Sequence, residues 1–344
     1  EAADGRLWVA NHDDATLSVI DPGTGALSAT VALPRGSAPY GIAPSPDGTA
    51  MYVVLEATGK LLRFDSASLA QTGALDVGAN PRHVAVRADG AAAYVSRFIT
   101  PALPGENTAL PDPTGQGGQV VHVNLPAFTA ANTVVLGYST RPDAENQGRG
   151  IPNYLGAMTV SPDGTQAYVP SKQDNLLRGK LRDGLQLDFQ STVRAISSRV
   201  VMSTETENPA ERVDHDNASV ASAAAFDPSG ALLFVALETS REVAIVDAYR
   251  RVQLMRVDTG LAPQAVEVSP DGRRLYVANF MDRTVAAYDI APLVQQGQSS
   301  APLLATTSTV GTELLPATVL RGKQLFYDAR DTLLARDRYM SCAS

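Results

Sequence analysis

Ser269-Pro270-Asp271-Gly272-Arg273-Arg274-Leu275-Tyr276-Val277-Ala278-Asn279 reads as the end of one strand, a tight turn and the start of the next strand. Pro270 presets φ, the Asp271 side chain can hydrogen-bond nearby backbone, and Gly272 is free to take φ > 0. Leu275-Tyr276-Val277 is the aromatic and β-branched mixture that a half-buried strand favours. Imperfect copies recur: Ser45-Pro46-Asp47-Gly48 before Met51-Tyr52-Val53, Ala88-Asp89-Gly90 before Ala93-Tyr94-Val95, Ser161-Pro162-Asp163-Gly164 before Ala167-Tyr168-Val169, and Asp227-Pro228-Ser229-Gly230 before Leu233-Phe234-Val235. A sixth copy, Arg6-Leu7-Trp8-Val9-Ala10-Asn11, opens the chain without its preceding turn.

The turn-to-turn step is about 42 residues from Asp47 to Asp89 and about 44 from Asp227 to Asp271, the size of one four-stranded propeller blade. Steps of about 74 residues from Asp89 to Asp163 and about 64 to Asp227 read as single blades carrying insertions. The expected fold is therefore all-β, a β-propeller of six or seven four-stranded blades over residues 1–312, followed by a short helical tail over 313–344. Within one repeat, Tyr40-Gly41-Ile42-Ala43 is strand A, Met51 to Leu55 strand B, Leu61 to Asp65 strand C and Ala70 to Val77 strand D. Strand A carries small residues such as Gly41, Ala43, Ala85, Gly156 and Ala223, as an innermost strand crowded by its neighbours requires. The chain begins at a strand B, so the first blade lacks its own inner strand, and Ala301 to Thr318 is the expected donor to complete it.

Successive connections in an up-and-down meander alternate between two faces. The short Pro-Asp-Gly turns are all A–B connections, whereas the long excursions fall on the opposite set: Phe98 to Gly118 and Ser171 to Gln190 between B and C, Ser139 to Pro152 and Ser203 to Asn217 between D and A. Insertions on one face of a repeat array mark its binding face. Binding-face candidates are His12, Asp13, Glu56, Glu238, Arg241, Asp282 and Arg283 in the shorter B–C loops, with Arg82, His83, Arg97, Lys172, Asp174, Asn175 and Arg178 near the inner strands. Charged loop tips are ordinarily just solvated, so the clustering of insertions weighs more than any one residue.

The 344 residues carry a formal net charge of −8, which disfavours a nucleic-acid partner held by phosphate neutralisation. No apolar run is long enough for a membrane span. The start at Glu1 without Met fits a processed or excised chain. The 4 histidines, His12, His83, His122 and His215, are scattered without metal-ligand spacing. Asp214-His215-Asp216-Asn217 lacks the pattern of an EF-hand, and no Gly-x-Ser-x-Gly elbow or phosphate-cradling loop is present. No catalytic residue and no metal ligand is assigned; Glu56 and Glu238 are the only carboxylates a metal-dependent propeller hydrolase or lactonase could use.

The Tyr-Val-x-Asn strands, the Ser-Pro-Asp-Gly turns and Thr16-Leu17-Ser18-Val19-Ile20-Asp21 resemble the YVTN family of β-propeller repeats over roughly residues 5–290. From Leu315 the period turns helical, and Leu320-Arg321-Gly322-Lys323-Gln324-Leu325-Phe326-Tyr327-Asp328, followed by Ser341-Cys342, resembles the opening of the di-haem cytochrome c peroxidase family. In that family Ser-Cys-x-x-Cys-His follows, so the resemblance implies that Cys342 is the first thioether cysteine of a haem c site completed beyond Ser344. It further implies a periplasmic or extracellular location, and a propeller that serves as docking platform for its own C-terminal haem domain or for a redox or protein partner. The alternative, carried by the repeat resemblance alone, is a non-catalytic cell-surface binding module.

Overall fold

The computed structural model describes residues 2–344, with Phe189 and Gln190 described for their backbone only. It is an all-β propeller fold of six blade sheets with a short helical segment near the end. The first sheet holds β1 (Leu7–Asn11), β2 (Thr16–Ile20) and β3 (Leu27–Ala32); the second holds β4 (Pro39–Pro44), β5 (Ala50–Leu55), β6 (Lys60–Asp65) and β7 (Gln71–Asp76). The third holds β8 (Pro81–Val86), β9 (Ala92–Arg97), β10 (Gly117–Asn124) and β11 (Thr129–Gly137). The fourth is built from β12 (Ile151–Asn153), β13 (Thr159–Val160), β14 (Gln166–Asp174), β15 (Val193–Val201), β16 (Thr206–Glu207) and β17 (Val213–His215), with α1 (Phe189–Thr192) leading into β15. The fifth holds β18 (Ala221–Phe226), β19 (Leu232–Leu237), β20 (Glu242–Asp247) and β21 (Val252–Asp258). The sixth holds β22 (Pro263–Val268), β23 (Arg274–Asn279), β24 (Thr284–Asp289) and β25 (Leu303–Ser308); α2 (Ala291–Gln296) lies in its last connection and α3 (Ala317–Tyr327) follows it.

The recurrent turn works as its residues dictate. Asp271 Oδ1 accepts from Arg273 N at 3.0 Å and from Ser269 Oγ at 2.5 Å, and Gly272 sits at φ 66°. Around Asp227 the two polar residues exchange places without losing the bonds: Leu232 N donates to Asp227 at 2.7 Å, the counterpart of Arg274 N to Ser269 Oγ at 2.9 Å. At the far end of strand B, Asn11 and Asn279 donate across the strand to Thr16 at 2.9 Å and Thr284 at 3.2 Å, which accounts for the asparagine in the Tyr-Val-x-Asn pattern.

The chain folds as two compact units, Glu1–Thr100 with Gln119–Val135, and Pro101–Gly118 with Leu136–Ser344. In the first unit, β5 is buried on both faces. Met51, Val53 and Leu55 join Trp8, Leu17 and Phe64 on one side, while Tyr52 and Val54 join Val84, Val95 and Val121 on the other. In the second unit β19 does the same: Phe234 and Ala236 pack with Leu275 and Val277, and Leu233, Val235 and Leu237 pack with Tyr168 and Ala195. A strand sandwiched between two sheets has no polar face, so strand B reads as a continuous apolar run. The small residues of the inner strands are required: a Cβ on Gly41 would stand 2.6 Å from Arg82 O in the first unit, and one on Gly156 would stand 2.4 Å from Ser222 O in the second.

Two expectations need correction. Ala301 to Thr318 does not complete the first sheet; β25 pairs with β24, and the first sheet keeps three strands. Ser203 to Asn217 is not a free D–A loop, because β16 and β17 both pair with β15 and form a broken outer strand. The inner strand of that sheet is broken as well, β12 pairing with Lys172–Asp174 and β13 with Ala167–Tyr168.

Candidate functional site

The long excursions of the second unit are tied together by charge. Asp143, whose side chain is 8% exposed, accepts from Arg149 N at 3.0 Å, from Arg178 Nη1 at 3.1 Å and from Asn175 Nδ2 at 3.2 Å. Arg149 continues to Asp183 at 3.1 Å, so two excursions meet around one carboxylate, and Arg182 ties a third to them by reaching Glu106 O at 3.3 Å. Beneath them Arg194 donates to Asp214 at 2.8 Å and to Ala144 O at 2.6 Å. A Cβ at Gly148 would lie 2.5 Å from Arg194 Nε, which explains a glycine there. Arg212 grips Glu207 through two bonds of 2.6 and 2.8 Å and donates to Gln173 at 2.7 Å; both partners of that ion pair are buried. Charge-assisted pairs of this kind, each with several partners, hold loops in one conformation.

Burial pushes Asp214 up to about 6, against the pull of the Arg194 guanidinium. Next to it, Ser197 Oγ lies 2.8 Å from His215 Nε2, a spacing that suits nucleophile and base. Both residues have no exposed surface, burial pulls His215 down to about 3, and Asp214 spends its carboxylate on Arg194. No substrate can reach this pair, and it serves the packing of β15 against β17.

The sequence candidates divide between the units. In the first, Arg82 forks onto Glu56 at 3.0 and 2.8 Å and lies over the rings of Tyr40 at 4.7 Å and Phe98 at 3.5 Å. Tyr40 in turn meets His12 and His83 edge-on, and His12 contacts Asp13 at 2.6 Å. Arg97 donates to Ala79 O at 2.8 Å and to the Gln119 side chain. In the second unit, Lys172 pairs with Asp174 at 3.3 Å and lies over Tyr154, and Asn175 and Arg178 join Asp143. Glu238 accepts from Gln264 at 2.8 Å, the same pairing of a B–C loop with the next inner strand that Glu56 makes with Arg82. Asp282 accepts from Leu261 N at 2.6 Å, and Arg283 pairs with Glu313 at 3.2 Å. Among the described residues no group of three or more His, Cys, Asp or Glu stands ready for a metal ion.

Asp143, Arg149, Arg194 and Arg212 were missed. The signal for them was the density of arginine and aspartate inside the excursions, for example Arg141-Pro142-Asp143 and Arg182-Asp183.

The tail also corrects the cofactor reading. The sequence has a single cysteine, and covalent haem c attachment through Cys-x-x-Cys-His needs two, so haem c is withdrawn. Cys342 is exposed, and residues 328–344 lie against the second unit instead. Asp328 forks onto Arg241, Ala329 N donates to Thr239 O at 3.0 Å, Arg330 spans Glu242 at 2.9 Å and Asp258 at 2.7 Å, and the buried Tyr339 hydroxyl donates to Val193 O.

No protein-family model matches the chain, and no curated protein matches it either. Solved structures share its fold at low identity. Kuenenia stuttgartiensis hydrazine synthase is 16% identical with a TM-score of 0.53, covering 84% of this chain and 93% of that one. A functionally unknown protein from Desulfotomaculum acetoxidans is 14% identical with a TM-score of 0.57, covering 88% and 79%. A chain of a mitotic checkpoint complex is 12% identical with a TM-score of 0.62, covering 90% and 76%. At such identities the likeness is one of fold alone.

Proposed function

We propose that this propeller is a non-catalytic binding scaffold, and that the excursions of its second unit form the surface that takes a protein partner. The observation that carries this reading is the network around Asp143, which joins its own excursion, with Arg149, to the excursion of Asn175 and Arg178 in one fixed polar surface. Prefixed loops lower the entropic cost of binding. Exposed Leu110 and Leu181, at 82% and 89%, stand on neighbouring excursions linked by Arg182 and offer apolar anchors within that polar surface. No helix among the described residues is long and apolar enough to cross a membrane. An exported location belongs to the same proposal, supported only by the resemblance to surface propeller repeats.

A photo-crosslinking residue placed at Leu181, and a second at Asp271 in a short A–B turn, tests the reading in extracts of the source cells. The scaffold reading expects one protein trapped from position 181 and not from 271. Equal trapping at both positions, or none at 181, rejects it.

A further inference from the structure

The tail offers more than a packing contact, because what it occupies has the form of a peptide-recognition site. Asp328 keeps only 1% of its side chain exposed and is held by the fork of Arg241, with Nε to Oδ1 at 2.9 Å. One residue later the backbone joins Thr239 O, and two residues later Arg330 is bracketed by Glu242 and Asp258. A second anchor follows, with Ala335 and Tyr339 buried and the tyrosine hydroxyl on Val193 O. Ser344 closes the run at 2.7 Å from Ser219 Oγ. Between the anchors the chain bows outward, leaving Leu333 92% and Leu334 61% exposed. A forked charge, a main-chain bond and a buried aromatic together hold this run of turns, and charge clusters and apolar pockets are what folded domains use to read short segments.

This segment is joined to the sixth sheet through a helix that lies on the surface. α3 contains no buried residue; Gln324 donates to Met281 O at 3.2 Å and Tyr327 meets Phe280 edge-on at 6.3 Å. A segment joined through such a helix can leave its site without unfolding a blade.

We propose that residues 328–344 are an exchangeable ligand held in cis. The surface beneath them, built by Ser219, Thr239, Arg241, Glu242, Asp258 and Val193, is a binding site for a partner segment bearing an aspartate, an arginine two positions later and an aromatic side chain further on. The chain's own tail keeps the site shut until such a segment replaces it. This rests on the scaffold reading and names the regulation and the partner chemistry of the same unit. In cis the tail acts at an effective concentration on the order of millimolar, so a free peptide competes only when the tail's grip is loosened.

The probe is a fluorescent synthetic peptide with the sequence of residues 326–344 carrying Cys342→Ser, titrated against full-length chains and read by anisotropy. Asp328→Asn with Tyr339→Phe loosens both anchors of the tail without touching the surface beneath. The peptide should bind that variant at least tenfold more tightly than the wild type. Adding Arg241→Lys, which keeps the charge but not the fork, should cost about tenfold of that gain, with the melting temperature confirming an intact fold. Equal binding to wild type and loosened variant, no binding to the loosened variant, or indifference to Arg241→Lys overturns the proposal. Crosslinking from position 181 is unaffected by these outcomes, so failure here leaves the scaffold reading standing, and failure there leaves the peptide site standing.

Discussion

Arg241 and Asp328 lie 87 positions apart in the chain and meet in a two-pronged ion pair whose carboxylate is buried. The pair converts the last residues of the chain from an appendage into a strap across the fifth sheet. Because Asp328 is desolvated, the contact does not belong with exposed surface pairs, which contribute little. Asp328→Ala should therefore free the strap: trypsin should cut after Arg330, Arg336 and Arg338 roughly ten times faster than in the wild type, while the blades stay resistant. Cleavage at an unchanged rate would show that the pair does not hold the strap.

Phe234 is fully buried between the fifth and sixth sheets. Phe234→Ala should cost about 3–5 kcal/mol, the range for removing a large core side chain that neighbours cannot replace. Denaturant unfolding followed by circular dichroism measures this.

Arg212 and Glu207 form a buried ion pair between the outer-strand pieces of the fourth sheet. Arg212→Ala strands a carboxylate and should cost about 3–5 kcal/mol, whereas Arg212→Met with Glu207→Leu should recover most of that loss. A double-mutant cycle in urea decides between them.

Acidity acts through two adjacent residues with opposite signs. His215 is pulled down to about 3 from 6.5, so the unfolded chain binds its proton first and stability falls as pH drops below about 6.5. Asp214 is pushed up to about 6 from 3.8, so the folded chain binds its proton first and stability rises as pH drops through about 6 toward 4. The two largely offset each other in that window. Asp214→Asn removes the opposing term, so its unfolding free energy should fall more steeply than the wild type's, by up to about 1.4 kcal/mol per pH unit between pH 6 and 4. Thermal melts across pH 4–7 give both slopes; parallel slopes would contradict the assignment.

The repeat unit was legible because each of its residues has a local duty. Asp271 satisfies the turn amides, Gly272 takes the left-handed conformation, and Asn279 bridges to Thr284, all within a few positions. Strand composition was legible for a different reason: β5 and β19 are buried on both faces, and a continuous apolar run reports that directly. The fourth sheet was not, since β16 and β17 hold their place on β15 through Arg212, Glu207 and Gln173, residues that no periodicity links. The loop surface was half legible. Asn175 and Arg178 stood out by position, but Asp143, which collects them, lies 32 and 35 positions away in another excursion. The tail misled through a run of residues shared with haem proteins, although it carries a single cysteine and Asp328 has a partner 87 positions earlier.

The central claim is that the surface gathered around Asp143 binds a protein, and affinity for the partner trapped at position 181 tests it most directly. Calorimetric titration of that purified partner should give a dissociation constant at least tenfold weaker for Arg178→Ala than for wild type, and an unchanged one for Asp271→Ala in the opposite turn. Equal affinities for all three chains would contradict the account.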